Sequence, residues 1–545
     1  MKRKIYSLMI AASMIFATSC DLDLLDDPNA VTAATASPDF LLNRIQLDYQ
    51  GFFNTVGNTG MRLTRQLNQG SAQYEGAYTI TATNGYWSTA YANILADIKF
   101  LEPLAEAANL QRHLGIAKTI EAMVLFHLVD TYGDVPLSEA LNSSEFNPKI
   151  DSGADVYAAA LATLNEADAH FKAAVTSGTP NDYFYARNYT KWIRLVNTLK
   201  LRYHLNLKLV KAAESKAAIT ALLTENNFLK AGDDFVFKFG TTTADPDSRH
   251  PRFTGAYTSG GGDYMSTYFM WHLTEAKGFD DPRARYYFYR QVNANPTNPE
   301  EIECLTQIAP PQYLSGGFIY CLPGQRGYWG RDHLDPDGIP PDGLKRTVWG
   351  LYPAGGRFDN NVNLPVNNPA LGAKGEGVHP IMLSAYVDFM LAEAVQTMGV
   401  AGDAKALLLS GIKKQMEYVR TFSLASGEAG TVATFTPAAD YVKLVDNYLV
   451  FVGKEFDTAP SKMFIIGREY WIALFGNGVE SYNLYRRTGQ PANMQPGLET
   501  NAGTFPRSFF YPNIYMVTNT KAAQKADQGV KVFWDTNPSG NSWNY

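Results

Sequence analysis

The residues best placed to do chemistry lie in the loop Gly327-Tyr-Trp-Gly-Arg-Asp-His-Leu-Asp-Pro-Asp-Gly338. Asp332, Asp335 and Asp337 could offer oxygens to calcium, but the spacing is not that of an EF-hand and the late glutamate is missing. Arg331, Asp332 and His333 beside Trp329 could equally hold a polar ligand, or the loop could be held by its own turns and hydrogen bonds. A second set of candidates is aromatic: Tyr257, Tyr264, Tyr268, Trp271, Tyr313, Tyr328, Trp329 and Trp349 fall in one irregular stretch, where helical spacing does not explain them. A flat ring can stack against the C–H face of a sugar while amides and charges meet its hydroxyls. Amides of that kind precede them, between helices, in Gln66, Asn68, Gln69 and Gln73, with Tyr74 and Tyr78 interleaved. Enzyme signatures do not frame any of these residues. The chain has no His-Glu-x-x-His, no Gly-x-Ser-x-Gly and no Gly-x-x-x-x-Gly-Lys, and its eight histidines are scattered. Carboxylates are many, so a glycosidase pair is not excluded by sequence.

The chain has 545 residues, enough for one large core or several smaller ones. Its net charge of −6 gives no basic field for nucleic acid. The start reads as a targeting segment. Lys2, Arg3 and Lys4 precede a short apolar run from Ile5 to Phe16, too short to span a bilayer comfortably. Ala17-Thr18-Ser19-Cys20 then resembles a bacterial lipobox, which implies lipid attachment at Cys20 and cleavage before it. The acidic residues Asp21, Asp23, Asp26 and Asp27 follow closely, on a polar tether. No other segment is long and apolar enough to cross a membrane, so the membrane is expected to be met through the lipid anchor only. Cys304 and Cys321 are the remaining cysteines, and an exported chain with two of them invites a disulfide between them.

Helical periodicity surrounds the loop region on both sides. Asp39–Tyr49, Tyr86–Ala108 and the helix beginning at Gly115 come first. Ser152 and Asp155 look like a capping box opening the next helix. Further helices are expected over Asn188–Lys211, Ser215–Glu225, Pro380 onward, Ala404–Thr421, Ala438–Tyr448, Ser461–Phe475 and Val479–Tyr485. Between about Lys230 and His379 the chain turns Gly-, Pro- and aromatic-rich, with short alternating runs such as Asp234–Phe239. The expected division is a signal peptide over 1–19, a lipidated tether over 20–38 and a single body over 39–545. That body is helical over 39–229 and 380–490, with a loop-rich insert over 230–379 and an irregular tail over 491–545. Paired helices joined by short turns make it all-α, a helical-repeat scaffold with a few short strands in the insert.

Several stretches carry a resemblance to the SusD/RagB family of outer-membrane nutrient-binding lipoproteins, in its SusD-like branch. Gly115–Ala140 is similar to a "lvD-x-yGDvP-x-s-e-A" signature. Phe146–Asp151 (FNPKID), Trp192–Leu201 followed by Arg202, Leu391-Ala-Glu-Ala394 and Trp471–Pro491 resemble later family segments in order. Phe505-Pro-Arg507, Tyr511-Pro512 and Phe533-Trp-Asp535 resemble its close. These are fold motifs, not ligand motifs. The resemblance implies tetratricopeptide-like helix pairs and an irregular region bearing the ligand face. It implies a lipoprotein facing the cell exterior that caps a SusC-like TonB-dependent transporter, traps an oligosaccharide or other nutrient and delivers it for import, without covalent chemistry or a cofactor. The ligand-contact candidates are Gln73, Tyr74, Tyr257, Tyr264, Trp271, Tyr328, Trp329, Arg331, Asp332 and Trp349. A surface-anchored glycoside hydrolase and a scaffold that binds only protein are the competing expectations.

Overall fold

The computed structural model describes residues 37–174, 178–258, 262–300, 302–321, 326–336 and 343–537. Cys20, the expected signal peptide and tether, and Asp337 lie outside them. The longer helices among the described residues are α1 (Pro38–Leu63), α2 (Ala96–Ala107), α3 (Gln111–Tyr132), α4 (Gly153–Lys172), α5 (Tyr189–Asn206), α6 (Ala212–Glu225), α7 (Thr267–Thr274), α8 (Ser384–Met398), α9 (Ala404–Leu424), α10 (Ala438–Thr458), α11 (Lys462–Ala473) and α12 (Gly478–Thr488). Neighbours in sequence pack on one another, α3 on α4, α4 on α5, α8 on α9 and α9 on α10. The fold is all-α, a tetratricopeptide-like helical-repeat scaffold with only a few short strands among the described residues. None of the described helices is long and apolar enough to cross a membrane.

The sequence explains most of these elements locally. In α3 every residue from His113 to Tyr132 except Lys118 and Glu121 is buried, as its apolar density demands of a helix packed on several sides. The Ser152 hydroxyl accepts the Asp155 N–H at 3.1 Å and starts α4. Helix α1 departs from the expectation, because it runs on through Asn54–Leu63, where glycines and polar residues suggest a loop. Its reason is tertiary. A Cβ on Gly60 would lie 2.0 Å from the carbonyl oxygen of Gly478, and one on Gly478 would lie 1.9 Å from that of Gly57. Glycines let α1 and α12 cross backbone to backbone, and that packing offsets the low helix propensity.

The insert leaves the scaffold and returns at one place. Strand β1 (Phe235–Lys238) pairs antiparallel with β4 (Val378–Met382), Lys238 opposite Val378, so the two ends of the insert lie side by side. Asp234 accepts both the backbone N–H and the hydroxyl of Ser384, at 2.8 and 2.9 Å, and fastens the junction to the start of α8. Within the insert β2 (Phe288–Tyr289) pairs with β3 (Val348–Trp349). Most of the buried aromatic residues of the insert share one apolar core with the helices, which runs from Leu41 to Trp534.

Side chains carried by α3, α5, α8 and α12 form a buried ionic knot. Asp130 accepts from Arg202 (2.8 Å), Asn483 (2.7 Å) and the indole of Trp534 (3.1 Å). Arg202 also reaches Glu480 at 2.8 Å, Glu480 meets Arg487 at 2.7 Å, and Arg487 meets Glu393, which holds Lys208 at 2.8 Å. Burial alone would raise the Glu393 carboxyl, yet the Arg487 and Lys208 charges hold it below the usual range. Asp134, the other carboxylate of that corner, accepts the Gly153 N–H at 2.7 Å at the start of α4.

Candidate functional site

Burial sorts the sequence candidates first. Tyr74, Tyr257, Tyr328, Trp329, Arg331, Asp332 and Trp349 are all less than a tenth exposed. Gln73 is exposed, and Tyr264 and Trp271 are half-buried. The expectation of a stacking platform is therefore corrected at six of the seven, whose faces and polar atoms are used inside the protein, while Tyr328 borders the cleft described below. The Tyr257 hydroxyl donates to the Trp349 carbonyl at 2.7 Å and its ring stacks on Phe253. Trp349 stacks on Phe475 and its indole donates to Asp263 at 3.2 Å. The Tyr74 hydroxyl sits 3.0 Å from both Arg65 Nη2 and His333 Nε2.

The 327–335 loop is internal because its backbone is threaded against another segment. Arg331 N donates to the Met265 carbonyl and Thr267 N to the Arg331 carbonyl, each at 3.0 Å. A Cβ on Gly330 would lie 1.9 Å from the Met265 oxygen, so only glycine permits this approach, and the flanking Trp329 and Arg331 are carried inward. The calcium expectation meets the same fact. Asp332 accepts from Cys321 N (2.9 Å) and Gln495 Nε2 (2.8 Å), and Asp335 pairs with Arg331 at 3.4 Å. No group of three metal-ligating side chains occurs among the described residues. Burial pushes the Asp332 carboxyl up to about 7, and only 4% of the residue is exposed. Cys304 and Cys321 are bonded to each other, closing the adjoining loop, with Cα atoms 5.6 Å apart.

An open concavity with suitable chemistry lies elsewhere, where the insert meets the start of α10. It encloses about 300 Å³. Tyr286, Tyr328, Phe358 and Tyr441 line it and are buried, while Phe435 (38% exposed) and Leu444 (44% exposed) face outward. The floor hydroxyls are satisfied beneath it, since Tyr286 accepts from Arg420 at 3.1 Å and Tyr441 donates to the Met416 carbonyl at 2.7 Å. What the floor presents is therefore apolar ring surface. Its rim is charged. Arg326 holds Asp280 through two hydrogen bonds of 2.8 and 2.9 Å, Arg285 lies 4.8 Å over the Phe435 ring, and Asp440 also lines the cleft. Asp281, at the edge of the floor, is turned inward to Arg283 and Lys277. Burial would raise its carboxyl, but those charges hold it far below the carboxylate range, so it carries no proton to donate. An apolar floor with a guanidinium–carboxylate rim is chemically suited to a ligand that has one hydrophobic face and many hydroxyls.

Of the sequence candidates only Tyr328 lines this cleft. Phe358, Phe435, Arg285 and Arg326 were not singled out from sequence. The only local signal is Phe435 lying beyond the apolar stripe of a helix and just before Thr436-Pro437; Tyr441, by contrast, looks like core.

A SusD-like family, described as "Starch-binding associating with outer membrane", matches residues 28–303 and 356–512. A solved chitin-binding protein is 19% identical with a TM-score of 0.66, over 92% of this chain and all of that one. A SusD homolog from Bacteroides fragilis is 20% identical with a TM-score of 0.65, over 92% and 99% of the two chains. A chitin-binding SusD homolog from Flavobacterium johnsoniae is 20% identical with a TM-score of 0.58, over 91% and 97%. No curated protein sequence matches the chain.

Proposed function

The chain belongs to the SusD-like family, and on that premise we propose that it captures an oligosaccharide at the outer membrane and hands it to a SusC-like TonB-dependent transporter without chemical change. A lipid on Cys20 tethers the body, which faces the cell exterior. The observation that carries the ligand class is the cleft: its apolar ring floor and charged rim suit a pyranose chain, while its carboxylates are engaged by arginine or lie open to water. Starch and chitin, named for the family and for two relatives, define the first glycans to test. Gln73, Tyr264 and Trp271 keep solvent access and stand as further candidate contacts.

The test is calorimetric titration of the chain from Asp21 onward with malto- and chito-oligosaccharides, followed by chromatography of the recovered ligand. Saturable binding with the glycan intact, weakened by Phe435→Ala and Arg326→Ala, is the expected result. Shortened glycan would replace this reading with a hydrolase. Binding unchanged in both variants would move the site away from the cleft.

A further inference from the structure

The surface that borders the cleft continues along α10. Asp440 and Leu444, both exposed, line the cleft from this helix, and Tyr441 lies buried beside them. Seven residues on, about 10 Å along the axis, the same two positions carry Asn447, which is exposed, and Phe451, which is half-buried. A step of seven returns a residue to nearly the same side of a helix, so a polar row and an apolar row both run on past the cleft. The insert keeps pace with them. Phe279, next to Asp280 of the rim, is half-buried and stacks on Phe451 with ring centroids 4.9 Å apart. Tyr448 packs on both, its buried ring 5.8 Å from Phe279 and 6.2 Å from Phe451. The Tyr448 hydroxyl donates to Asp281 at 2.8 Å, and Asp281 also lines the cleft. One buried anchor thus holds the cleft and this second aromatic surface in fixed relation.

Resting on the reading of the cleft as a glycan site, we propose that Phe279, Phe451 and Asn447 form a second sugar subsite. The ligand is then a linear oligosaccharide long enough to lie in the cleft and run on along α10. A disaccharide reaches the cleft alone and leaves the Phe279–Phe451 pair in water. A longer chain covers those rings with its C–H faces, which removes apolar surface from solvent. The Asn447 amide offers a donor and an acceptor to its hydroxyls.

The test titrates the chain from Asp21 onward with the di-, tetra- and hexasaccharides of the malto- and chito- series, by calorimetry. The hexasaccharide that binds should do so at least about tenfold more tightly than its disaccharide. Phe451→Ala and Asn447→Ala should each close most of that gap and leave disaccharide affinity unchanged, whereas Phe435→Ala should weaken both lengths. Asn447 is exposed, so its variant should unfold at the temperature of the parent chain. Binding that does not depend on length would overturn the second subsite and leave the cleft reading standing. Undiminished length dependence in both variants would overturn it by placing the extra contacts elsewhere. Equal losses at both lengths in the two variants would overturn it too, by making the row part of the cleft itself. No binding of either series would overturn the cleft reading and this one with it.

Discussion

The ionic knot and the aromatic cleft are built from similar side chains and are used in opposite ways. In the knot, Asp130, Arg202, Glu393, Glu480 and Arg487 are buried and each charge meets one of opposite sign. In the cleft, Arg326 and Asp280 also pair, but at the surface, 40% and 63% exposed, above rings whose hydroxyls are tied underneath. Charges sealed in low dielectric fix how helices meet, because leaving one unpaired is costly. Charges at an open rim hold each other loosely and exchange partners with little loss. The first arrangement defines a scaffold and the second leaves it able to bind.

The largest effect should come from breaking the knot. Arg487→Ala strips Glu393 and Glu480 of their shared partner, and urea unfolding should show a loss of about 3–5 kcal/mol. A loss of under about 1 kcal/mol would mean that the knot is no more than a surface-like pair. Gly478→Ala comes next. It drives a methyl into the α1 backbone and should destabilise by about 1–3 kcal/mol in the same assay, whereas Gly430→Ala, with open space around it, should change little. The cleft should respond the other way round. Phe435→Ala should lower glycan affinity about tenfold by calorimetry with only a small shift in unfolding, since its ring is partly exposed. If it unfolds the protein as severely as the knot variant, the contrast between the two regions fails.

The smallest effect, when read between neutral pH and about pH 6, is a pH dependence. Burial, with Arg252 adding to it, lowers His379 from the ordinary 6.5 to about 3, and it packs edge-on against Phe239 and His250. The unfolded chain takes up this proton as pH falls through 6.5 while the folded chain refuses it until about 3. The stability contributed above 6.5 is therefore lost progressively across that window. Urea midpoints should fall on acidification, and His379→Phe should make the fall shallower without removing it, because the neighbouring His250 is lowered by the same burial.

The two regions were unequally legible in the sequence. Helix existence was readable where apolar spacing is long, as in α3 and α10, and α4 opens at its Ser152 cap, as the residues there predict. The stretches that resembled the family supply the knot: Asp130, Arg202, Glu393, Glu480, Arg487 and Trp534 all fall in them. The second half of α1 was missed because glycine propensity argues against a helix, and only contact with Gly478 reverses that. Whether Trp329 and Trp349 are core or exposed was not legible for a related reason. In a Gly-rich stretch without periodicity, a core aromatic and an exposed one have the same local surroundings.

The sequence by itself determined the helical scaffold, the family and the presence of an aromatic insert, since helix periodicity and the stretches that resemble the family are written in residue types at fixed spacings. Which aromatic surfaces stay open was decided by the tertiary structure alone. Exposure of a ring depends on what packs over it from far along the chain, as Phe475 from between α11 and α12 does over Trp349 of β3, while Phe435 stays 38% exposed.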